Sequence, residues 1–287
     1  MLAIKKRNAM RLLYQLTALF LIMLLLVSCG GGAPSDKDKP GGEKKPEVTA
    51  QQGEQQDANP EQQQEKVSNV SGSPSTPGQS FGAYVEAKGE LISILTDALA
   101  TNPGTELDSM SFLGIAMVDI ALVPASSFGL GQDAAASALG FLGAKDVEYS
   151  ESGNQYSIKY RNAEGKQYEL LGEYDKAADA LKCISKMDGK ETLIYEYRRT
   201  SFGYVGQIYT IGEDDSAHVY QLAIRGNDGA VGFSKVSAAP PALTGKETMD
   251  FPKQCKEWYA IEGNKVTGIT SDGREISFVY TPSEDSE

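Results

Sequence analysis

The chain of 287 residues carries 27 basic and 39 acidic side chains, one His, one Trp and three Cys. A net charge of −12 argues against nucleic acid or an anionic membrane surface as partner of the folded part. A single His removes most triad and metal chemistry, and the length allows one sizeable domain or two small ones.

Residues 1–28 hold Lys5, Lys6, Arg7 and Arg11 and no acid. An apolar stretch runs from Leu12 to Leu25, and Leu26-Val27-Ser28-Cys29 follows. A transmembrane helix is the competing reading, because the apolar run is nearly long enough to span a bilayer. Against it stand Gln15, the confinement of positive charge to the front, and a small residue before Cys where cleavage would occur.

Leu26-Val27-Ser28-Cys29 resembles the lipobox of bacterial lipoproteins. The resemblance covers about a tenth of the chain and implies that residues 1–28 are a cleaved signal peptide. It further implies that Cys29 carries a diacylglycerol thioether and fatty acyl chains such as palmitate. The chain would then be exported, with a membrane as its first partner. Two or more acyl chains hold a protein stably where one, at roughly 10⁴ M⁻¹, does not. Within this class, Gly30 rather than Asp after the Cys points to the outer membrane.

Residues 29–80 are predicted to be the lipidated Cys and a disordered tether. Residues 30–80 hold 6 of the 12 prolines, eight glutamines and no aromatic residue, a composition that buries too little apolar surface to offset chain entropy. A flexible segment of this length spans on the order of 40 Å.

Residues 81–146 form the predicted helical segment. Tyr84, Ala87, Leu91, Leu95 and Ala98 fall on one stripe, and Asn102-Pro103-Gly104 ends the first helix. Thr105 with Asp108 reads as a capping box opening a second helix that stops before Pro124. A third is expected from Asp133 to Leu142. Asp119 is the only charge between Ser109 and Gln132, so the second helix is expected to be buried by other layers.

Residues 147–282 change to period two. Tyr156, Ile158 and Tyr160 alternate with polar residues, as do Leu193, Tyr195 and Tyr197, then Tyr220, Leu222 and Ile224, then Ile276, Phe278 and Tyr280. Twelve of the fourteen tyrosines lie from Tyr149 onward, and Tyr suits a half-buried pleated surface. Glu164-Gly165, Asp188-Gly189, Asp228-Gly229, Glu262-Gly263 and Asp272-Gly273 read as hairpin turns. The predicted fold is α+β, with N-terminal helices packed on a large curved antiparallel meander of eight to ten strands, a half-barrel or incomplete barrel. In pattern this is similar to the half-barrel lipoprotein carriers of the bacterial envelope. Residues 283–287 are a tail.

With Cys29 assigned to lipid, Cys183 and Cys255 in an exported protein are expected to form a disulfide. It would close a loop of 73 residues and stabilise by about 4 kcal/mol in the chain-entropy model. No CxxC occurs, so a redox or zinc pair is disfavoured. His218, after the acidic turn Glu213-Asp214-Asp215, reads as a strand-end residue without a nucleophile motif. Gly129-Leu130-Gly131-Gln132-Asp133-Ala134 matches a loose GxGxxA but lacks the preceding strand of a dinucleotide site. Gly189-Lys190 and Gly245-Lys246 lack the upstream glycine of a phosphate loop. No catalytic residue, metal ligand or cofactor is assigned, and the ligand-binding residues stay unknown.

The expected function is that of a membrane-anchored, non-enzymatic envelope lipoprotein whose β-rich domain meets an envelope protein or surface polymer. The alternative is a carrier or sensor holding an apolar small molecule between the curved sheet and helices 105–144. A hydrolase comes last for want of a catalytic constellation.

Overall fold

The computed structural model describes residues 76–212 and 216–282. The predicted signal segment, Cys29, the predicted tether up to residue 75, residues 213–215 and the predicted tail 283–287 lie outside the described residues.

Helix α1 spans Pro77–Thr101 and starts inside the segment predicted as tether. Two local features place its start there. The Thr76 side chain accepts the amide of Gln79 at 3.2 Å, and Pro77 supplies a fixed φ at a position where no N–H is needed. The helix ends where Asn102 becomes extended ahead of Pro103.

The predicted second helix is divided. A 3₁₀ turn at Asp108–Phe112 leads into helix α2, Leu113–Ala121, and a second 3₁₀ turn at Val123–Ser127. The expected capping box does not form. The Thr105 hydroxyl donates back to the Leu99 and Asn102 carbonyls at 2.9 and 3.1 Å, and the Asp108 carboxylate turns to Arg274 at 3.4 Å. Helix α3 spans Gln132–Gly140.

Eleven strands follow. They are β1 Lys145–Ser152, β2 Gln155–Arg161, β3 Gln167–Asp175, β4 Ala180–Met187 and β5 Lys190–Arg199. Then come β6 Tyr204–Ile211, β7 Ala217–Arg225, β8 Asp228–Val236, β9 Glu257–Glu262, β10 Lys265–Ile269 and β11 Glu275–Val279. Each pairs antiparallel with its neighbour in chain order, giving one open sheet with edges at β1 and β11. The α+β meander read from the sequence is the fold, with one to three more strands than expected.

Asp188-Gly189 is a two-residue turn with φ of 50° and 80°, the double positive φ that this hairpin requires. Asp228-Gly229, in contrast, already belongs to β8, and the turn is Gly226-Asn227. A Cβ at Gly229 would press on the Leu91 side chain of α1.

Both helical passes lie on one face of the sheet. Along α1, Ser80 meets the Tyr197 hydroxyl of β5 at 2.6 Å, Leu91 lies over β8, and Asp97 accepts from Tyr280 beyond β11 at 2.6 Å. The chain then returns. Ser111 reaches Glu257 of β9 at 2.6 Å, Gly114 sits on Tyr220 of β7, and Phe128 stacks on Tyr156 of β2 at 5.3 Å. Between these layers lies the core, centred on Tyr84, Tyr195, Tyr197, Phe112, Phe128 and Tyr259.

Lys88 of α1 is 1 % exposed and is buried beside the expected stripe of Tyr84, Ala87, Leu91, Leu95 and Ala98, in which Ala87 is only half-buried. Its ammonium pairs with Asp119 of α2, donates to the Tyr195 hydroxyl at 3.4 Å, and lies 5.6 and 5.3 Å from the Tyr84 and Tyr195 ring centres. Burial pushes the Asp119 carboxyl up from its ordinary range, and Lys88 opposes that shift. Tyr84 stacks on Tyr197 at 4.4 Å, and its hydroxyl occupies the space that a Cβ at Gly206 would fill.

Removing one member of such a pair strands a buried charge, whereas replacing both restores an apolar contact. We expect Lys88→Met alone to cost about 3 kcal/mol or more, and Lys88→Met with Asp119→Leu to recover most of it. Chemical denaturation of the three proteins checks this; equal losses in the single and double variants would contradict it.

Candidate functional site

The face of the sheet turned away from the helices is built from the alternate residues of each strand. Register places Ser152, Gln155, Glu173 and Lys182 in one row across β1–β4, and the row continues through Glu196 and Gln207 to Gln221. A second row, two residues along, holds Ser150, Ser157, Leu171 and Ile184. A third holds Glu148, Lys159, Glu169 and Lys186, where Glu169 pairs with both lysines at 3.2 and 3.5 Å.

The first two rows line an open trough of about 410 Å³ on β1–β4, within the range of small-ligand sites. Its floor is hydroxyl-bearing on β1 and β2 and aliphatic on β3 and β4. Asn154 donates to the Glu173 carboxylate at 3.4 Å.

The connection from β8 to β9 crosses the same face as a strap over β5 and β6. Lys182 also borders a small cavity of about 40 Å³ beneath Ala239, Pro240 and Ala242. Under the strap a relay of side chains follows the register row. Gln207 Nε2 donates to Glu196 and to the Pro241 carbonyl, each at 2.9 Å, and Gln221 Nε2 donates to Gln207 Oε1 at 2.9 Å. The Leu243 amide donates to Glu196 at 3.2 Å, and the Cys255 thiol to Gln221 at 3.4 Å.

The expected Cys183–Cys255 disulfide is absent, and both thiols are free and buried. The reason is parity. Cys183 of β4 shares the helix-facing side with Tyr195, its partner on β5. Cys255 lies over Gln221 of β7 and Gly232 of β8, three and four strands further on and on the opposite face. Burial pushes both thiols above the ordinary range.

The other residues singled out in the sequence do not assemble into a site. His218 is exposed on β7 between Thr210 and Lys235. Gly129 and Gly131 are turn residues with φ of 78° and 86°. Gly189-Lys190 forms a hairpin end, and Gly245-Lys246 lies in the strap. Among the described residues no three His, Cys, Asp or Glu side chains gather as a metal site. In the sequence, trough residues such as Ser157 and Lys182 read only as the polar or solvent-facing alternates of their strands.

The helical layer shows a second surface. Met110 of the first 3₁₀ turn and Leu113, Met117 and Ile120 of α2 recur every three or four residues and stay exposed, Met117 at 57 %. The apolar second helix is therefore buried on one side only. No protein family, curated protein or solved structure matches the chain.

Native protein should react slowly with a thiol reagent and release both Cys183 and Cys255 on denaturation, and reductant should leave its melting temperature unchanged. A drop with reductant would restore the disulfide. Burial holds the Glu196 carboxyl above its ordinary range, against Gln207, the Leu243 amide and Lys182. A folded carboxyl that keeps its proton more tightly than the unfolded one loses stability as pH rises from the unfolded value through the folded one. Glu196→Gln retains both accepting contacts and removes that loss. Its melting temperature should equal or exceed wild type near about pH 7, and the difference should move against the variant near about pH 4.

Proposed function

We propose that this chain is a lipid-anchored, non-enzymatic envelope protein that presents its α+β domain on a flexible tether as an interaction module. The observation that carries this reading is how apolar side chains divide across the segment 105–144. Its inward residues, Phe112, Ile115, Leu122, Phe128 and Leu139, fill the space against the sheet and are fully buried. Its outward stripe on α2 stays exposed, as apolar contact surfaces do.

The carrier alternative needs room for a ligand between that segment and the sheet, where aromatic rings are packed instead. The stripe's partner is a protein. No basic residue occurs from Thr105 to Gly131, whereas a helix lying on anionic lipid draws on Lys and Arg along its polar side. The chemistry fits an apolar protein patch.

The anchor rests on the resemblance at Leu26-Val27-Ser28-Cys29, and the tether on the composition of residues 30–75. Among the described residues no helix is long and apolar enough to cross a membrane. Cys29→Ser should move the protein from the membrane to the soluble fraction on cell fractionation. Retention in the membrane would defeat the lipoprotein reading. Native mass spectrometry of the released variant should give the bare chain mass; a reproducible lipid-sized adduct would shift the reading to the carrier.

A further inference from the structure

We propose that the trough on β1–β4 is a binding site for a linear, uncharged oligosaccharide lying across the strands. Its direction comes from register. The rows Ser152–Gln155–Glu173–Lys182 and Ser150–Ser157–Leu171–Ile184 run perpendicular to the strands. With strands about 4.8 Å apart, four of them span roughly 14 Å. An elongated opening of about 410 Å³ over that span suits an extended chain better than a compact molecule.

The lining selects the chemistry. Three serine hydroxyls and the Gln155 amide both donate and accept, Glu173 accepts and Lys182 donates. A ligand that answers this mixture carries groups of the same dual character at close intervals, and sugar hydroxyls are such groups. The aliphatic floor of Leu171 and Ile184 takes the C–H face of a sugar ring. The opening offers no excess of positive charge, because its one lysine, Lys182, lies in register between the carboxylates of Glu173 and Glu196. A strongly anionic chain would find no net attraction, and a cationic one would meet Lys182 at the centre of the row.

A peptide is disfavoured by the state of the adjacent sheet edge. Extended peptides gain most by pairing with a free strand, and β1 is the edge beside the trough. There the Gln132 carboxamide of α3 donates to the Val147 carbonyl at 2.8 Å and accepts from the Tyr149 amide at 2.7 Å. These are the two bonds that a neighbouring strand would make at that place. Edge pairing is thereby blocked, and the open face beyond it remains.

The test uses the full chain purified in a detergent without sugar groups, titrated calorimetrically with cellotetraose, chitotetraose and a peptide of alternating Lys and Glu. At least one tetrasaccharide should bind saturably. Ser157→Tyr, which fills the floor, should weaken that binding by about tenfold or more, with Lys182→Ala weakening it less. Both variants should keep the wild-type melting temperature. If Ser157→Tyr fails to fold, Lys182→Ala decides. Absence of sugar binding at about 10 mM, binding unchanged by the foldable variants, or binding of the peptide alone would each overturn the proposal. None of these readouts depends on Cys29, so failure here is separable from failure of the anchor.

Discussion

An open antiparallel sheet of eleven strands has an apolar face that cannot close on itself, and covering that face is the constraint on which the rest of this structure depends. A barrel would hide its interior by joining β1 to β11. Here the two edges stay apart, and two helical passes do the covering. The first runs from β5 to beyond β11, and the second returns to β1. The Lys88–Asp119 pair ties them together where they meet over the tyrosine cluster. An ion pair there adds less stability than a well-packed apolar contact, but its geometry fixes which turn of α1 faces which turn of α2.

The opposite face is organised by a different rule. It is polar enough to meet water unaided, so the β8–β9 strap is held on it by hydrogen bonds rather than by apolar burial alone. Glu196, Gln207 and Gln221 form a ladder across three strands, and Pro241 and Leu243 of the strap bond into it. Cys255 ends that ladder while Cys183 packs among tyrosines on the far side. The sheet itself separates the two thiols.

The fold was legible because period-two runs and acidic turns are local signals. Tyr195 and Tyr197 announce a strand whatever they pack against, and Asp188-Gly189 demands its hairpin from backbone geometry alone. Signals that depend on partners were misread. Asp228-Gly229 looked like a turn, although Gly229 is small to admit Leu91. Thr105 and Asp108 looked like a capping box until Leu99 and Arg274 competed for them. Parity decides the face of each cysteine, and parity cannot be compared between strands until register is known. The trough is illegible for the same reason, since Ser150, Ser157, Leu171 and Ile184 become one row only after three strand pairings are fixed.

The point at which the chain enters the domain lies on one side of the sheet and sets the two surfaces apart. Thr76 and Pro77 pack against Gly129, and the Gly78 amide donates to the Phe128 carbonyl at 3.2 Å. The segment leading in from the proposed anchor therefore joins on the helical side, the side that carries the Met117 stripe. The trough lies on the opposite face of the sheet, clear of that junction. A protein docked on α2 and a glycan laid across β1–β4 would occupy different sides of one sheet, with the packed core between them. A domain so arranged can bridge the two, because neither contact needs the other's surface and a rigid sheet holds them at a fixed separation.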